Sequence, residues 1–237
     1  MRSITLLLTA TIDSSNISYM LRSETNDRLN DYVCAINKWT VFNDLKIVLV
    51  ENSNYPWEML KSRLERTDNI EYLSFNGQNF PRHRGKGYGE ICSLEFAFNK
   101  SKQLKNSDVI VKCNGRYFFK DLMKLGLVNS DITGNFSRDL TTMDSRVFAA
   151  EPNFFRYILK YKEKIDDSNG VFFEHILSMA VHEYLIDGGR WSRLPFPLII
   201  DGISGTENMR YNTLFSVCKI KVKFWLNSLF HLFNLGY

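Results

Sequence analysis

The first half of the chain alternates between two hydrophobic periods. Ile4–Ala10 is a short, almost continuous apolar run, the pattern of a strand buried on both faces. From Arg28 to Val41 the residues Leu29, Tyr32, Val33, Ile36 and Trp39 recur at three- and four-residue steps, which predicts a helix. Lys46–Val50 is a second predicted strand, ending in Glu51-Asn52-Ser53-Asn54. Pro56 then opens a helix to Leu64 from the first-turn position that proline tolerates, and Ile70–Phe75 makes a third strand. A loop rich in glycine and basic residues follows, then a helix over Ile91–Gln103 and a fourth strand, Asp108–Cys113. Buried strands alternating with helices predict an α/β fold with a mainly parallel sheet, right-handed crossovers and flanking helices. Ligands of such sheets bind beyond the carboxyl ends of the strands. That directs attention to Thr9–Thr11, Glu51–Asn54, Asn76–Glu90 and Asn114–Tyr117.

The second half is less regular. Arg146–Ala150 predicts a short strand, Pro152–Lys164 a helix, Asp166–Gly170 a turn and Val171–Ile186 another helix. Leu194–Ile200, interrupted by prolines, predicts an extended edge strand leading into Asp201-Gly202-Ile203-Ser204-Gly205-Thr206. No repeat or linker precedes residue 205, so 1–210 is expected to form one unit and 211–237 an appended amphipathic helix. That tail carries Lys219, Lys221 and Lys223 and then a charge-free stretch, Phe224–Phe233. It falls short of the ~20 apolar residues a spanning helix needs. A basic flank joined to an aromatic apolar face suits the surface of an anionic bilayer. Packing on the domain and packing on a second subunit are the other readings.

Composition narrows the classes. With 44% hydrophobic and 24% charged residues in 237, the chain is globular rather than disordered or collagen-like. A net charge of +4, without a basic stripe, gives no nucleic-acid footprint. Four scattered cysteines with no C-x-x-C pair predict buried free thiols in a reducing compartment. The N-terminal apolar run is followed by Thr and Asp where a signal peptide would carry its small-residue cleavage site, so the expected location is the cytoplasm.

Four segments carry candidate chemistry. Arg82-His83-Arg84-Gly85-Lys86-Gly87-Tyr88-Gly89-Glu90 puts glycines and cations before a helix, which is either a diphosphate cradle or a solvated loop. It lacks the G-K-[ST] ending of a Walker A loop. Lys112-Cys113-Asn114-Gly115-Arg116-Tyr117 ends the fourth strand; a buried Lys112 must find a partner, and Arg116 either forks onto a phosphate or lies on the surface. Phe172-Phe173-Glu174-His175 opens a helix, where Glu174 is either a general base among apolar rings or a plain helix-start carboxylate. Asp201–Thr206 is a turn whose small residues let a ligand approach the backbone. No nucleophile elbow, Ser/His/Asp order or metal-spaced histidine pair is present.

The order of these parts resembles a GT-A glycosyltransferase. The resemblance rests on Thr9-Ala10-Thr11, Glu51, G-K-G-Y-G-E, V-K-C-N-G-R-Y, F-F-E-H and G-I-S-G-T, and covers residues 4–206. It extends to the small bacterial transferases of capsule and lipopolysaccharide O-antigen synthesis. It implies a nucleotide-sugar donor held by Thr9, Ala10, Thr11, Glu51, Asn52, Lys86, Gly87, Tyr88, Lys112, Asn114 and Gly115. Glu51 would read the base or ribose. Glu174 would be the catalytic base, with Asp144 and Asp139 as fallbacks, and His175, Ser204 and Gly205 would lie on the acceptor or phosphate side. The family's Asp-x-Asp metal motif is replaced by Cys113-Asn114-Gly115-Arg116, so no metal cofactor is expected and Arg116, with Lys112 or Lys86, would supply the charge. A lipid-linked or glycan acceptor at the inner membrane surface fits the basic tail. Two other classes remain open: a non-catalytic, membrane-associated binding module and a nucleotidyltransferase.

Overall fold

The computed structural model describes residues 2–14, 21–205 and 207–234, with the side chains of the last helix described as far as residue 226. Thr206 and the tail side chains beyond Leu226 therefore lie outside the described residues. The order of elements is β1 (Ile4–Ala10), α1 (Thr25–Thr40), β2 (Lys46–Glu51), α2 (Trp57–Lys61), β3 (Ile70–Ser74), α3 (Gly85–Lys100), α4 (Lys102–Lys105) and β4 (Val109–Asn114). There follow β5 (Ile132–Thr133), β6 (Val147–Ala150), α5 (Phe155–Lys160), α6 (Phe173–Ile186), β7 (Trp191–Ser192) and α7 (Leu214–Asn234). The strands form one seven-stranded sheet in the order β3-β2-β1-β4-β6-β5-β7. β1 to β4 run parallel, and β6 alone is antiparallel to both of its neighbours.

Alternation along the strands builds two cores. Leu6 and Leu8 of β1 and Ile47 and Leu49 of β2 face α1 and its buried Trp39. Leu7, Val48 and Val50 face the opposite layer of α3, α5 and α6. The interior is rich in rings: Trp39 packs edge-on to Phe119 at 5.2 Å, and Phe98 lies 4.3 Å from Phe155. Of the cysteines only Cys113 is buried; Cys34 and Cys218 are exposed and Cys92 is half-buried, which corrects the expectation of four buried thiols.

Three further expectations are corrected. The glycine-rich segment is not a loop, because α3 starts at Gly85 and runs through it. A Cβ at Gly87 would stand 3.0 Å from that of Phe173, so the missing side chain lets α3 press against α6. Leu194–Ile200 forms no strand; its even-numbered residues Leu194, Phe196, Leu198 and Ile200 are buried, but two prolines remove ladder donors. The edge strand is Trp191–Ser192 instead. Pro152–Lys164 is not one helix but the six-residue α5 between 3₁₀ turns. Among the described residues no helix is long and apolar enough to cross a membrane.

Candidate functional site

The carboxyl ends of β1, β2 and β4 converge on a cavity of about 250 Å³. β1 brings Thr9, Ala10 and Thr11 to it, the end of β2 brings Asn52, and β4 with its following turn brings Lys112, Asn114 and Arg116. The loop after residue 200 adds Ser204 and Gly205, and the starts of α3 and α6 add Lys86 and Glu174. Eleven residues singled out in the sequence thus share one wall or another of this space.

Lys112 is completely buried, and its ammonium finds the partner that such a position demands. It pairs with the Glu90 carboxylate and donates to the Ser145 carbonyl at 2.6 Å. Glu90 also accepts from Thr9 Oγ1 at 3.3 Å, which ties β1, β4 and α3 together at the cavity floor. Thr11 Oγ1 donates to Asn52 Oδ1 at 2.7 Å, and Asn52 Nδ2 donates to the Gly89 carbonyl at 3.2 Å.

Arg116 is the exception to this economy of partners. Its side chain is 6% exposed, yet its Nε and Nη1 are buried without a hydrogen-bond acceptor among the described residues. The nearest carboxylate, Asp31, lies at 3.9 Å and already receives two short bonds from Arg22, at 2.6 and 2.9 Å. The guanidinium stands between the Tyr32 and Tyr117 rings at 6.0 and 5.8 Å. Its Nη2 would be 2.5 Å from a Cβ at Gly205, so the glycine leaves room for it. Arg28, also buried, spends its donors on the Thr11 carbonyl at 2.9 Å and the Arg22 carbonyl at 3.2 Å. Burial chiefly, and the nearby Arg116 charge in part, weaken the hold of Arg28 on its proton. A buried cation with unspent donors is costly, and an anion would offset both its charge and its missing acceptors.

Glu174 lies where three spaces meet. Besides the strand-end cavity it borders one of about 810 Å³, where Lys86, Asp167, Phe172 and Phe173 stand, and a groove beside α7. Its Oε1 accepts from Ser145 Oγ at 2.6 Å. Asp167 is held above the usual carboxylate range, first by burial and then by the Glu174 charge, with Lys86 acting in the opposite sense. Burial lifts the Cys113 thiol to about 12, so it carries no thiolate chemistry near neutrality.

Several predicted site residues stand elsewhere. Glu51 is fully buried and accepts from the backbone N–H groups of Ile12, Ser53 and Tyr55 at 3.0, 3.0 and 2.8 Å. Its carboxylate organises the loops and does not face the cavity, so the expected base- or ribose-reading contact is not where the structure puts it. Tyr88 points to the other side of α3 and donates to Glu163 Oε1 at 3.0 Å. Gly87 borders the larger cavity, and Gly115 sits beneath the floor, donating its N–H to the Thr9 carbonyl at 2.8 Å. The His175 imidazole accepts from the Phe172 N–H at 3.1 Å and caps α6. Asp139 serves its own turn, bound to Ser137 and Thr141, and Asp144 clamps Arg146 at 2.9 and 2.7 Å.

The sequence reading missed Arg28, Tyr32, Ser145, Arg146 and Tyr211, all of which line the strand-end cavity. Arg28 and Tyr32 belong to the face of α1 that packs inward. Ser145 and Arg146 precede an antiparallel strand, so the start of β6, not its end, reaches the site.

Among the described residues no three His, Cys, Asp or Glu side chains converge. The end of β4 offers Asn114 and a guanidinium, and Glu90 is engaged by Lys112.

No family model matches the chain, and no curated protein matches it. Solved structures do resemble it. One is described as 4-diphosphocytidyl-2C-methyl-D-erythritol synthase from Anaerococcus prevotii, 13% identical over 94% of this chain and 99% of that one, with a TM-score of 0.47. A protein from Desulfovibrio desulfuricans described as a nucleotide-diphospho-sugar transferase is 10% identical over 82% and 80%, TM-score 0.48. The bifunctional glycosyltransferase WbbM is 11% identical over 94% of this chain and 44% of that one, TM-score 0.49. At these identities and TM-scores the likenesses carry nothing about what this chain does.

Proposed function

We propose that the protein is a glycosyltransferase that takes a sugar from a nucleotide-sugar donor and passes it to a glycan or lipid-linked acceptor. The observation that carries this reading is Arg116, a buried cation with unspent donors at the end of a parallel strand. A diphosphate supplies both the charge and the acceptor atoms that this guanidinium lacks. The donor's diphosphate lies against Arg116 beside Ser204 and Gly205, its nucleoside runs along Thr9–Thr11 and Asn52, and its sugar faces Lys86, Glu90 and Glu174. Phe172, exposed at the larger cavity, offers an apolar face to a sugar ring.

In the transfer step the acceptor hydroxyl attacks the anomeric carbon. The new C–O bond forms as the bond from that carbon to the diphosphate oxygen breaks. The hydroxyl proton passes to Glu174, whose Oε1 is oriented by Ser145 at 2.6 Å, leaving Oε2 for the proton. The electron pair leaves with the diphosphate, whose growing charge Arg116 meets with Lys86. This arrangement does the electrostatic work without a metal held by paired aspartates. α7 brings the enzyme to the inner face of the membrane, in a cell-surface polysaccharide pathway.

Calorimetric titration with UDP, GDP, CMP and their sugar conjugates, each in EDTA and in manganese, tests the reading. Saturable binding of one nucleotide in EDTA is expected. Binding that requires manganese overturns the role given to Arg116, and silence from every nucleotide favours the non-catalytic binding module.

A further inference from the structure

The third space at Glu174 has a different chemistry from the other two. This groove, of about 350 Å³, runs from Glu174 and Arg146 past the 135–144 loop and is closed by Ile220, Lys223 and Phe224 of α7. Three cations face it. Arg146 is clamped by Asp144. Arg193, half-buried, and Lys223 have neither an ion-pair nor a hydrogen-bond partner among the described residues. Among the described residues Glu174 and Asp144 are its only carboxylates, one proposed as the base and the other already spent.

α7 itself presents two apolar faces. Val217, Ile220 and Phe224 are half-buried on the side of the domain. Leu214, Phe215, Val222, Trp225 and Leu226 are 50–87% exposed. With Cys218 they recur at helical spacing as one stripe opposite the packed side. At ~100° per residue, Lys219 and Lys221 fall on the two edges of that stripe. An exposed apolar stripe edged by lysines is complementary to the interface of an anionic bilayer. The same helix is therefore the outer wall of a groove whose unpaired cations lead inward to Glu174.

We propose that this groove receives the phosphate of a membrane-held acceptor, with Arg193 and Lys223 as its ligands, and so delivers the acceptor hydroxyl to Glu174. The inference rests on the transferase reading and adds to it the acceptor's chemistry and its route of entry.

The full-length protein is sedimented with vesicles of phosphatidylcholine alone and of phosphatidylcholine with phosphatidylserine or phosphatidic acid, the last two matched in surface potential. The change in tryptophan emission that Trp225→Phe removes reports insertion, and inorganic diphosphate serves as soluble competitor. The wild type is expected to prefer the phosphomonoester lipid several-fold over phosphatidylserine, with a blue shift. Arg193→Ala and Lys223→Ala are expected to abolish that preference while keeping the phosphatidylserine binding, the melting temperature and the nucleotide affinity in EDTA. A preference absent from the wild type, or unchanged in both variants, overturns the proposal. So does a soluble dimer that buries α7, or, in the Arg116→Met background where the donor site is removed, diphosphate bound without vesicles as tightly as the lipid. Loss of the transferase reading shows separately, as silence in the nucleotide titration.

Discussion

Glu51 and Arg116 are both buried charges at the carboxyl end of a parallel strand, and they are treated in opposite ways. Three backbone N–H groups, two serine hydroxyls and a surrounding loop close on Glu51. Arg116 is equally hidden, but its nearest carboxylate is shared with Arg22 and two of its nitrogens have no acceptor. The first arrangement is that of a scaffold, complete without a ligand. The second leaves donors unspent, and the proposed reading supplies them with an anion. The difference separates structural from functional charge in a site where both line up along the same sheet edge.

The comparison is broken most directly by removing each charge. Arg116→Met is expected to lower nucleotide affinity by about a hundredfold or more, because a charge-assisted fork to the diphosphate is lost. Its stability is expected to hold or rise by ~1–3 kcal/mol, since an uncompensated buried cation has gone. Glu51→Ala is expected to do the reverse, costing about 3–5 kcal/mol in urea unfolding by leaving buried N–H groups unpaired. A Glu51 variant of wild-type stability, or an Arg116 variant that unfolds, contradicts the distinction.

Glu90→Gln sharpens it at the cavity floor. Lys112 would lose its counter-charge and keep only neutral acceptors, among them the Ser145 carbonyl, and a loss of about 3 kcal/mol is expected by the same unfolding measurement. Adding Lys112→Met should recover most of that loss. Gly205→Ala is subtler: the new methyl meets the Arg116 guanidinium, so donor affinity is expected to fall about tenfold at unchanged melting temperature. Asp167→Asn gives the smallest effect. The Asp167 carboxyl is raised by burial, so ionising it opposes folding. The wild type loses stability as pH rises from the unfolded carboxyl value through the higher folded one, and this loss is complete above it. The variant is expected to be slightly more stable at neutral pH, and the gap should close in acid.

Much of this was legible in the chain. Three of the four parallel strands announced themselves as mostly apolar runs, with β3 broken by Glu71, and the rule that ligands gather beyond their ends located Thr9–Thr11, Asn52, Lys112, Asn114 and Arg116. The rule fails where a strand reverses. Ser145 and Arg146 stand before β6, and nothing in V-F-A-A shows which way that strand runs. Periodicity also hides double roles. Tyr32 keeps the core spacing of α1 while its hydroxyl accepts the Thr11 N–H at 2.8 Å inside the cavity. Glu51 was misplaced for a related reason, because position at a strand end does not reveal whether backbone N–H groups have already consumed a carboxylate. The glycines of α3 resembled a loop because composition records flexibility but not the approach of Phe173 that requires Gly87.

The most direct measurement is isothermal titration of the nucleoside diphosphate selected by the panel into wild type and Arg116→Met, in EDTA, with both melting curves recorded. The account predicts saturable binding to the wild type and its loss in the variant, whose melting temperature is equal or higher. Equal binding by the two proteins would contradict it.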